Sequence, residues 1–92
     1  MYERLEATIS GRVQKVMFRD FAQRKAHGLK LTGIVRNNED GTVSIIAEGP
    51  KENLEQYVLK LHRGPLLAKV EGVAYSWKPA TGEYASFTLS YD

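Results

Sequence analysis

The 92-residue sequence predicts an α+β fold in which two helices cover one face of an antiparallel sheet. Two observations lead to this fold class: segments in which every second residue is apolar, and two segments whose apolar residues recur at helical spacing. The segments follow the order β-α-β-β-α-β, with one extra C-terminal strand. Right-handed crossovers bring both helices to one side and the first strand to the interior of the sheet, which gives the ferredoxin-like α/β sandwich.

The first strand and the first helix are marked by a change in apolar period. From Leu5 to Val13, apolar residues and glycine alternate with polar residues, which is typical of a strand with one buried face. We expect the helix to end at Gly28, because glycine adopts the left-handed conformation at low cost. The apolar residues that recur at helical spacing are Phe18, Phe21, Ala22, Ala26 and Leu29.

Two strands around a turn form a predicted hairpin. The first begins at Leu31 and carries Gly33 and Val35 on one face. The turn signal is Asn-Glu-Asp-Gly at residues 38–41, and the second strand covers residues 42–48. Its buried face is expected to consist of Val43, Ile45 and Ala47.

The second helix is bounded by two glycine–proline pairs. Pro50 is expected at its first helical position, where a proline loses no hydrogen bond, and Gly64-Pro65 ends it. Its apolar stripe is Leu54, Tyr57, Val58 and Leu61. We expect the connection Leu66-Leu67-Ala68 to pack onto the body of the protein, and the next strand to run from about Val70 to Lys78. The last strand alternates through Ala85, Phe87, Leu89 and Tyr91.

Length and composition limit the possible classes of protein. At this length we expect a single domain, residues 1–92, with one core. The absence of cysteine excludes disulfides, thiolate metal sites and cysteine nucleophiles, and it favours an intracellular, cytoplasmic location. No signal peptide or membrane-spanning stretch is expected. A net charge of +2 suits an anionic small molecule and permits a nucleic acid.

The stretch from Gly11 to Arg19 joins the first strand to the first helix and is the candidate functional site. A short turn of this kind can aim several backbone N–H groups at one point, and the first N–H groups of a helix bind anions. Arg19 adds a planar charge suited to two phosphate oxygens. Asn37, before the hairpin turn, can lie nearby and hold a water through its carboxamide. Taken singly, Arg19 also fits a surface position and Asn37 an ordinary turn.

The remaining polar and aromatic residues are weaker candidates. His27 and His62 are expected to be surface or helix-end residues rather than catalysts. The acidic residues show no spacing typical of metal ligands. Stacking on RNA bases is conceivable for Tyr75, Trp77 and Phe87. Because no basic residues are interleaved among them, packing in the core or at an edge is the favoured interpretation.

Three separated motifs in this chain resemble the acylphosphatase family. They are Gly-Arg-Val-Gln-Lys-Val-Met-Phe-Arg at residues 11–19, Gly-Ile-Val-Arg-Asn-Asn-Glu-Asp-Gly-Thr-Val at residues 33–43, and Glu-Gly at residues 48–49. The likeness runs from about Leu5 to Tyr91. It implies a ferredoxin-like enzyme that hydrolyses acyl phosphates to carboxylate and orthophosphate. It also implies that the reaction needs no metal, no cofactor and no covalent intermediate.

The resemblance implies a role for each matching residue. Arg19 corresponds to the phosphate-binding arginine and Asn37 to the asparagine that orients the attacking water. The phosphate-binding loop, whose backbone N–H groups surround the phosphate, is Gln14, Lys15, Val16, Met17, Phe18 and Arg19. The expected partners are a small-molecule acyl phosphate as substrate and inorganic phosphate as product or competitive inhibitor. We expect a monomer that binds neither nucleic acid nor a membrane.

The loop departs from the resembled family at two positions, since Lys15 and Met17 stand where the family usually has glycine. If position 15 requires a positive φ, lysine costs on the order of 1 kcal/mol or more relative to glycine. Met17 can crowd the mouth of the site, and Asp20 brings a negative charge close to a bound anion. Two alternatives stay open: a non-catalytic phosphate-binding or regulatory module of the same fold, and an RNA-binding ferredoxin-like domain.

Overall fold

The computed structural model describes residues 2–90 and has the expected order of elements. The elements are β1 (Tyr2–Arg12), α1 (Phe18–Gly28), β2 (Thr32–Asn37), β3 (Val43–Pro50), α2 (Lys51–Arg63), β4 (Lys69–Pro79) and β5 (Phe87–Leu89). Tyr91, expected in the last strand, lies outside the described residues. Neither helix within residues 2–90 has the length and apolar character needed to cross a membrane.

The five strands form one sheet in the order β4-β1-β3-β2-β5. The pairs β1–β3, β1–β4 and β2–β3 are antiparallel, and β1 is interior, as expected for the ferredoxin-like fold. The sheet is mixed rather than wholly antiparallel, because β5 pairs with β2 in parallel. The reason is the path of the chain. Residues 80–86 cross to the other edge of the sheet at the end where β2 begins, so β5 starts beside the start of β2.

The core lies between the sheet and the two helices. The apolar stripe predicted for α2 is buried completely, and that of α1 is buried except for Leu29, which packs against the core from its margin. The hydroxyl of Tyr57 donates a 2.8 Å hydrogen bond to the carbonyl of Ala22, which ties α2 to α1. Phe87 packs edge-on against Tyr57 with 6.1 Å between ring centroids, so β5 is part of the core.

The end of α1 differs from the prediction in one detail. Gly28 is the last helical residue, but the left-handed residue is Lys30, with φ 58°. Two hydrogen bonds close the helix end, from the N–H of Lys30 to the carbonyl of His27 (3.1 Å) and from Leu31 to Ala26 (2.9 Å). This is the Schellman pattern, which needs its left-handed residue two positions after the last helical one. The helix therefore ends at Gly28 as predicted, but the left-handed residue that closes it is Lys30 and not the glycine.

The start of α2 is also displaced from the prediction. Pro50 is the residue before the first helical position, with φ −59° and ψ 136°, and it is also the last residue of β3. Proline is tolerated there for the same reason as in the first turn, because its missing N–H has no partner inside the helix. Gly64 ends the helix as expected, with φ 67°.

The prediction for the connection after α2 was wrong for both leucines. Leu66 is 97% exposed and Leu67 is 70% exposed, whereas Ala68 packs against the core. The N–H of Ala68 bonds to the carbonyl of Pro65 at 3.0 Å, which closes a tight turn with the leucines at its tip. Side chains at the tip of such a turn point away from the chain that it reverses, so the apolar character of the run did not lead to burial.

The aromatic residues considered for RNA stacking lie in the core or at an edge. Phe87 is buried, and Trp77 packs against the core. Tyr75 is half exposed on β4, an edge strand, and meets Trp77 edge-on with 6.0 Å between ring centroids.

Candidate active site

The candidate site lies where several chain ends meet at one end of the sheet. In the sheet register, Ile9 near the end of β1 lies opposite Val43, and Val43 lies opposite Asn37 at the end of β2. The N–H of Ser90, just after β5, bonds to the carbonyl of Val35 at 2.8 Å. The loop before α1 starts from the same end. Loop, hairpin and last strand are therefore neighbours although they are far apart in sequence.

A bulge at Gly11 turns the chain from β1 into the loop. The register between β1 and β4 shifts between Ser10 and Gly11, and Gly11 has φ 113°. A Cβ atom at this position would lie 2.1 Å from the carbonyl oxygen of Lys69, so only glycine fits. Bulges of this type bend a strand locally and redirect the residues that follow.

The backbone of residues 14–19, the loop predicted to bind phosphate, alternates in the sign of φ. Lys15 and Met17 both have φ 62°, and the residues between and around them have negative φ. Alternation of right- and left-handed residues makes successive N–H groups point into one concavity, which is an anion-binding nest. Within residues 2–90, the N–H groups of residues 15–18 donate no backbone hydrogen bond. Position 15 therefore has the positive φ at which lysine is less favourable than glycine, and position 17 has a positive φ as well.

The loop and Asn37 line one cavity of about 310 Å³. The residues around it are Val13, Lys15, Met17, Phe18, Arg19, Asp20, Asn37 and Leu89. Of the residues predicted for the site, only Gln14 and Val16 do not line this cavity. Gln14 turns toward the hairpin, and Val16 packs against the core. A larger hollow of about 780 Å³ on the helix-free face of the sheet has none of the predicted site residues in its lining. The smaller cavity is therefore the candidate active site, because the predicted site residues line it and not the larger hollow.

The guanidinium of Arg19 is oriented from the last strand. Its Nη1 donates a hydrogen bond to the carbonyl oxygen of Ser90, and the side chain is half buried. Arg19 is the second residue of α1, so the charge also lies near the positive end of the helix dipole. Both features concentrate positive potential in the cavity.

The side chain of Gln14 ties the loop to the hairpin. Its Nε2 donates to the carbonyl oxygens of Asn38 (2.7 Å) and Thr42 (2.9 Å). The hairpin turn is itself ordered, because the Nδ2 of Asn38 donates to the hydroxyls of Thr42 (2.9 Å) and Ser44 (2.6 Å). These bonds fix the loop relative to Asn37, the residue before the turn.

The carboxamide of Asn37 has a buried acceptor without a donor. Its Oδ1 is inaccessible to solvent and receives no hydrogen bond from any residue in the range 2–90. Leaving a buried acceptor unpaired costs about 1–3 kcal/mol. Because Asn37 lines the cavity, a hydrogen-bond donor that enters with the ligand can pair with this oxygen and remove the cost.

The acidic residue in the cavity lining is already paired. Asp20 accepts a 2.9 Å hydrogen bond from the Nε of Arg24, one helical turn along α1. This pairing moderates the repulsion between Asp20 and an anion. Within residues 2–90, no group of three or more His, Cys, Asp or Glu side chains is placed to hold a metal ion.

Sequence reasoning missed Ser90, Leu89 and the tether formed by Gln14. Their partners are distant in sequence, so no local pattern signals them. A glutamine inside a glycine-type loop was the only available hint for the tether, because such a side chain can bond to backbone carbonyls. The histidines do not line the cavity: His27 Nε2 lies 3.2 Å from the carbonyl of Phe87, and His62 Nδ1 lies 3.0 Å from that of Val58.

Comparisons with known proteins point to one family. A family model described as Acylphosphatase matches residues 5–89. An acylphosphatase of Salinibacter ruber is 45% identical over 87 residues, which cover 95% of this chain and 92% of the relative. An acylphosphatase of Thermus thermophilus is 49% identical over 79 residues, 86% of this chain and 90% of the relative. The crystal structure of acylphosphatase from Bacillus subtilis superposes with a TM-score of 0.93 at 34% identity, covering 97% and 99% of the two chains.

Proposed function

This chain belongs to the acylphosphatase family and is an enzyme of that class, and from that premise we propose the mechanism by which its residues hydrolyse an acyl phosphate. Water attacks a phosphoryl group that is held by loop N–H groups and Arg19, and Asn37 positions that water. The observation that carries the proposal is one cavity lined by an anion-binding nest, an arginine and an asparagine with an unpaired buried oxygen.

The phosphoryl group docks in the nest. The N–H groups of residues 15–18 and the start of α1 offer donors and positive dipole ends to its oxygens. Arg19, oriented by the carbonyl of Ser90, binds phosphoryl oxygens through its guanidinium, whose planar charged fork suits two phosphate oxygens. Fixed backbone donors cost no reorganisation at the moment of reaction.

Asn37 holds the attacking water in line with the bond that breaks. Its carboxamide both donates and accepts hydrogen bonds, so it can orient a water molecule as well as restrain it. A bond forms between the water oxygen and phosphorus, and the bond between phosphorus and the bridging oxygen breaks. The carboxylate leaves with the electron pair, and the proton released by the water goes to the new orthophosphate or to solvent.

The reaction needs little help from a general acid, because the leaving group is a stable carboxylate. Catalysis then comes from positioning the water and from stabilising charge on the phosphoryl oxygens. Removal of one preorganised donor of this kind costs about 2.7–4 kcal/mol, or about 10²–10³-fold in kcat. Arg19 and Asn37 should each show a loss of that order.

The test is the hydrolysis of benzoyl phosphate by the parent and by Arg19→Gln and Asn37→Ala. Arg63→Gln is the control, since it removes an exposed arginine charge from the last turn of α2, outside the cavity lining. We expect both site variants to lose most turnover with unchanged circular dichroism, and the control to keep it. Activity is measured with and without chelator, and with inorganic phosphate as competitor.

The alternative, an anion-binding module without turnover, is motivated by Lys15 and Met17 in a loop that the family usually builds with glycine. Saturable phosphate binding by the parent, without release of carboxylate from benzoyl phosphate, would favour that alternative. Parent-level hydrolysis by both site variants would refute the roles given to Arg19 and Asn37.

A further inference from the structure

Lys15 brings a positively charged side chain to the mouth of the phosphate site. It lines the cavity with Arg19 and Asn37, and its side chain is exposed. A side chain that lines the cavity and is also exposed to solvent lies at the rim of the cavity and not at its floor. The charge is thus available at the entrance rather than among the phosphoryl donors.

This lysine occupies a position where a side chain is unfavourable. Its φ of 62° lies in the left-handed region, which is unfavourable for an L-residue and costs glycine almost nothing. Backbone strain at a functional site is a reason to look for a role of the residue that bears it. The nest itself needs only the backbone of position 15, so the role belongs to the side chain.

The ammonium group of Lys15 has no carboxylate within 4 Å among the described residues; the ion pairs there belong to Arg4, Arg24 and Lys78. Asp20, the acidic residue in the cavity lining, is paired with Arg24. The charge of Lys15 is therefore not used to hold the fold together.

The acyl part of a bound substrate must lie at the same mouth. With the phosphoryl group in the nest, the bridging oxygen and the acyl chain point outward, past Lys15 and Met17. Met17 is 71% exposed and offers an apolar wall there. We propose that Lys15 selects acyl phosphates whose acyl part carries a second anionic group. This inference rests on the function proposed above and adds the substrate class to it.

The experiment measures kcat/KM for two matched substrates, para-carboxybenzoyl phosphate and its neutral analogue para-carbamoylbenzoyl phosphate. Their ratio is compared among the parent, Lys15→Met and Lys15→Arg. Because each variant is compared with itself, a general loss of activity cancels. A solvent-accessible ion pair contributes up to about 1 kcal/mol, so the ratio should fall roughly fivefold in Lys15→Met and persist in Lys15→Arg. High ionic strength should reduce the parent's ratio toward that of Lys15→Met.

Lys30→Met is the matched control, because Lys30 is also an exposed lysine with positive φ but lies outside the cavity lining. It should keep the parent's ratio. A para-phosphonobenzoyl substrate distinguishes a phosphate-like second anion from a carboxylate. A ratio equal in parent and Lys15→Met would overturn this inference and leave the proposed function standing, provided that the carbamoyl substrate is hydrolysed. No hydrolysis of either substrate by the parent would overturn both.

Discussion

Replacement of the left-handed residues in the loop of residues 14–19 by glycine should stabilise this protein. Lys15 and Met17 have φ 62°, and the ψ of 28° at Met17 places it in the left-handed helical region. Lys30, at the end of α1, has φ 58° and is a third left-handed residue that lies away from the site. At each position a Cβ atom is held in a conformation that L-residues avoid.

The magnitude follows from two opposing terms. The left-handed conformation costs an L-residue about 1–2 kcal/mol, which glycine recovers. Glycine loses more backbone freedom on folding, which costs roughly 0.5–1 kcal/mol. Each single replacement should therefore raise the free energy of unfolding by roughly 0.5–1 kcal/mol, and the double variant Lys15→Gly/Met17→Gly by roughly twice that if the two sites add.

Urea unfolding is the assay, with the midpoint expected to rise and the slope m to stay constant. Lys15→Ala separates the two contributions, because alanine removes the charge and most of the side chain but keeps the Cβ atom. It should be close to neutral. Lys30→Gly should match Lys15→Gly in stability while leaving hydrolysis of benzoyl phosphate at the parent rate.

Two results would refute this reasoning. Equal stabilisation by Lys15→Ala and Lys15→Gly would mean that the side chain, and not the backbone conformation, is unfavourable. A loss of stability in Lys15→Gly and in Lys30→Gly together would mean that the entropy of the unfolded chain outweighs the strain. In either case the substrate-selecting role of Lys15 would lose its support from backbone strain.

Two further predictions concern side chains that hold parts of the fold together. Gln14→Ala removes two hydrogen bonds to the hairpin, to the carbonyls of Asn38 and Thr42, and should lower the free energy of unfolding in urea by roughly 1–2 kcal/mol. The value of kcat should also fall, because the loop is no longer tied to the hairpin beside Asn37. Gln14→Glu cannot donate these bonds and should behave in the same way. Burial acts to raise the pKa of Glu48, but hydrogen bonds from residues 81–82 and the charge of Arg4 outweigh it and lower the pKa below its usual 4.5. The stabilisation that Glu48 contributes is therefore complete above 4.5 and lost as the pH falls through the lower folded pKa. Glu48→Gln should be less stable near neutrality and should lose less stability as the pH falls below about 4.5, and an unchanged acid limb would contradict this.

Most of the fold could be predicted because its buried faces follow the periods of strand and helix. The stripe on α2 and the alternation in β1 and β3 give element type and inward face directly. The direction of β5 could not be read in this way, because it depends on where residues 80–86 cross the sheet. The exposure of Leu66 was missed for a related reason, since a tight turn decides which way its tip residues point.

The residues of the candidate site could be predicted from the sequence, but the hydrogen bonds that hold them in place could not. The roles expected for Arg19 and Asn37 came from motif resemblance and chemistry, and their place on one cavity could be anticipated from the topology. The carbonyl of Ser90 and the tether of Gln14 could not, because both are contacts between residues far apart in sequence. Hydrogen bonds of that kind leave no periodic trace in the chain.

The extra strand is what connects these supports to the chemistry. β5 has only three residues and pairs with β2 alone, so its ladder gives it little hold on the sheet. Side chains of α1 reach across to it, with Gln23 donating to the carbonyl of Phe87 at 3.1 Å and Arg19 to that of Ser90. The burial of Phe87 anchors the strand beneath them. The guanidinium of Arg19 is positioned by the end of β5, and side chains of α1 in turn help to hold β5 in place. The position of the guanidinium therefore depends on correct packing of β5 in the sheet as well as on the loop.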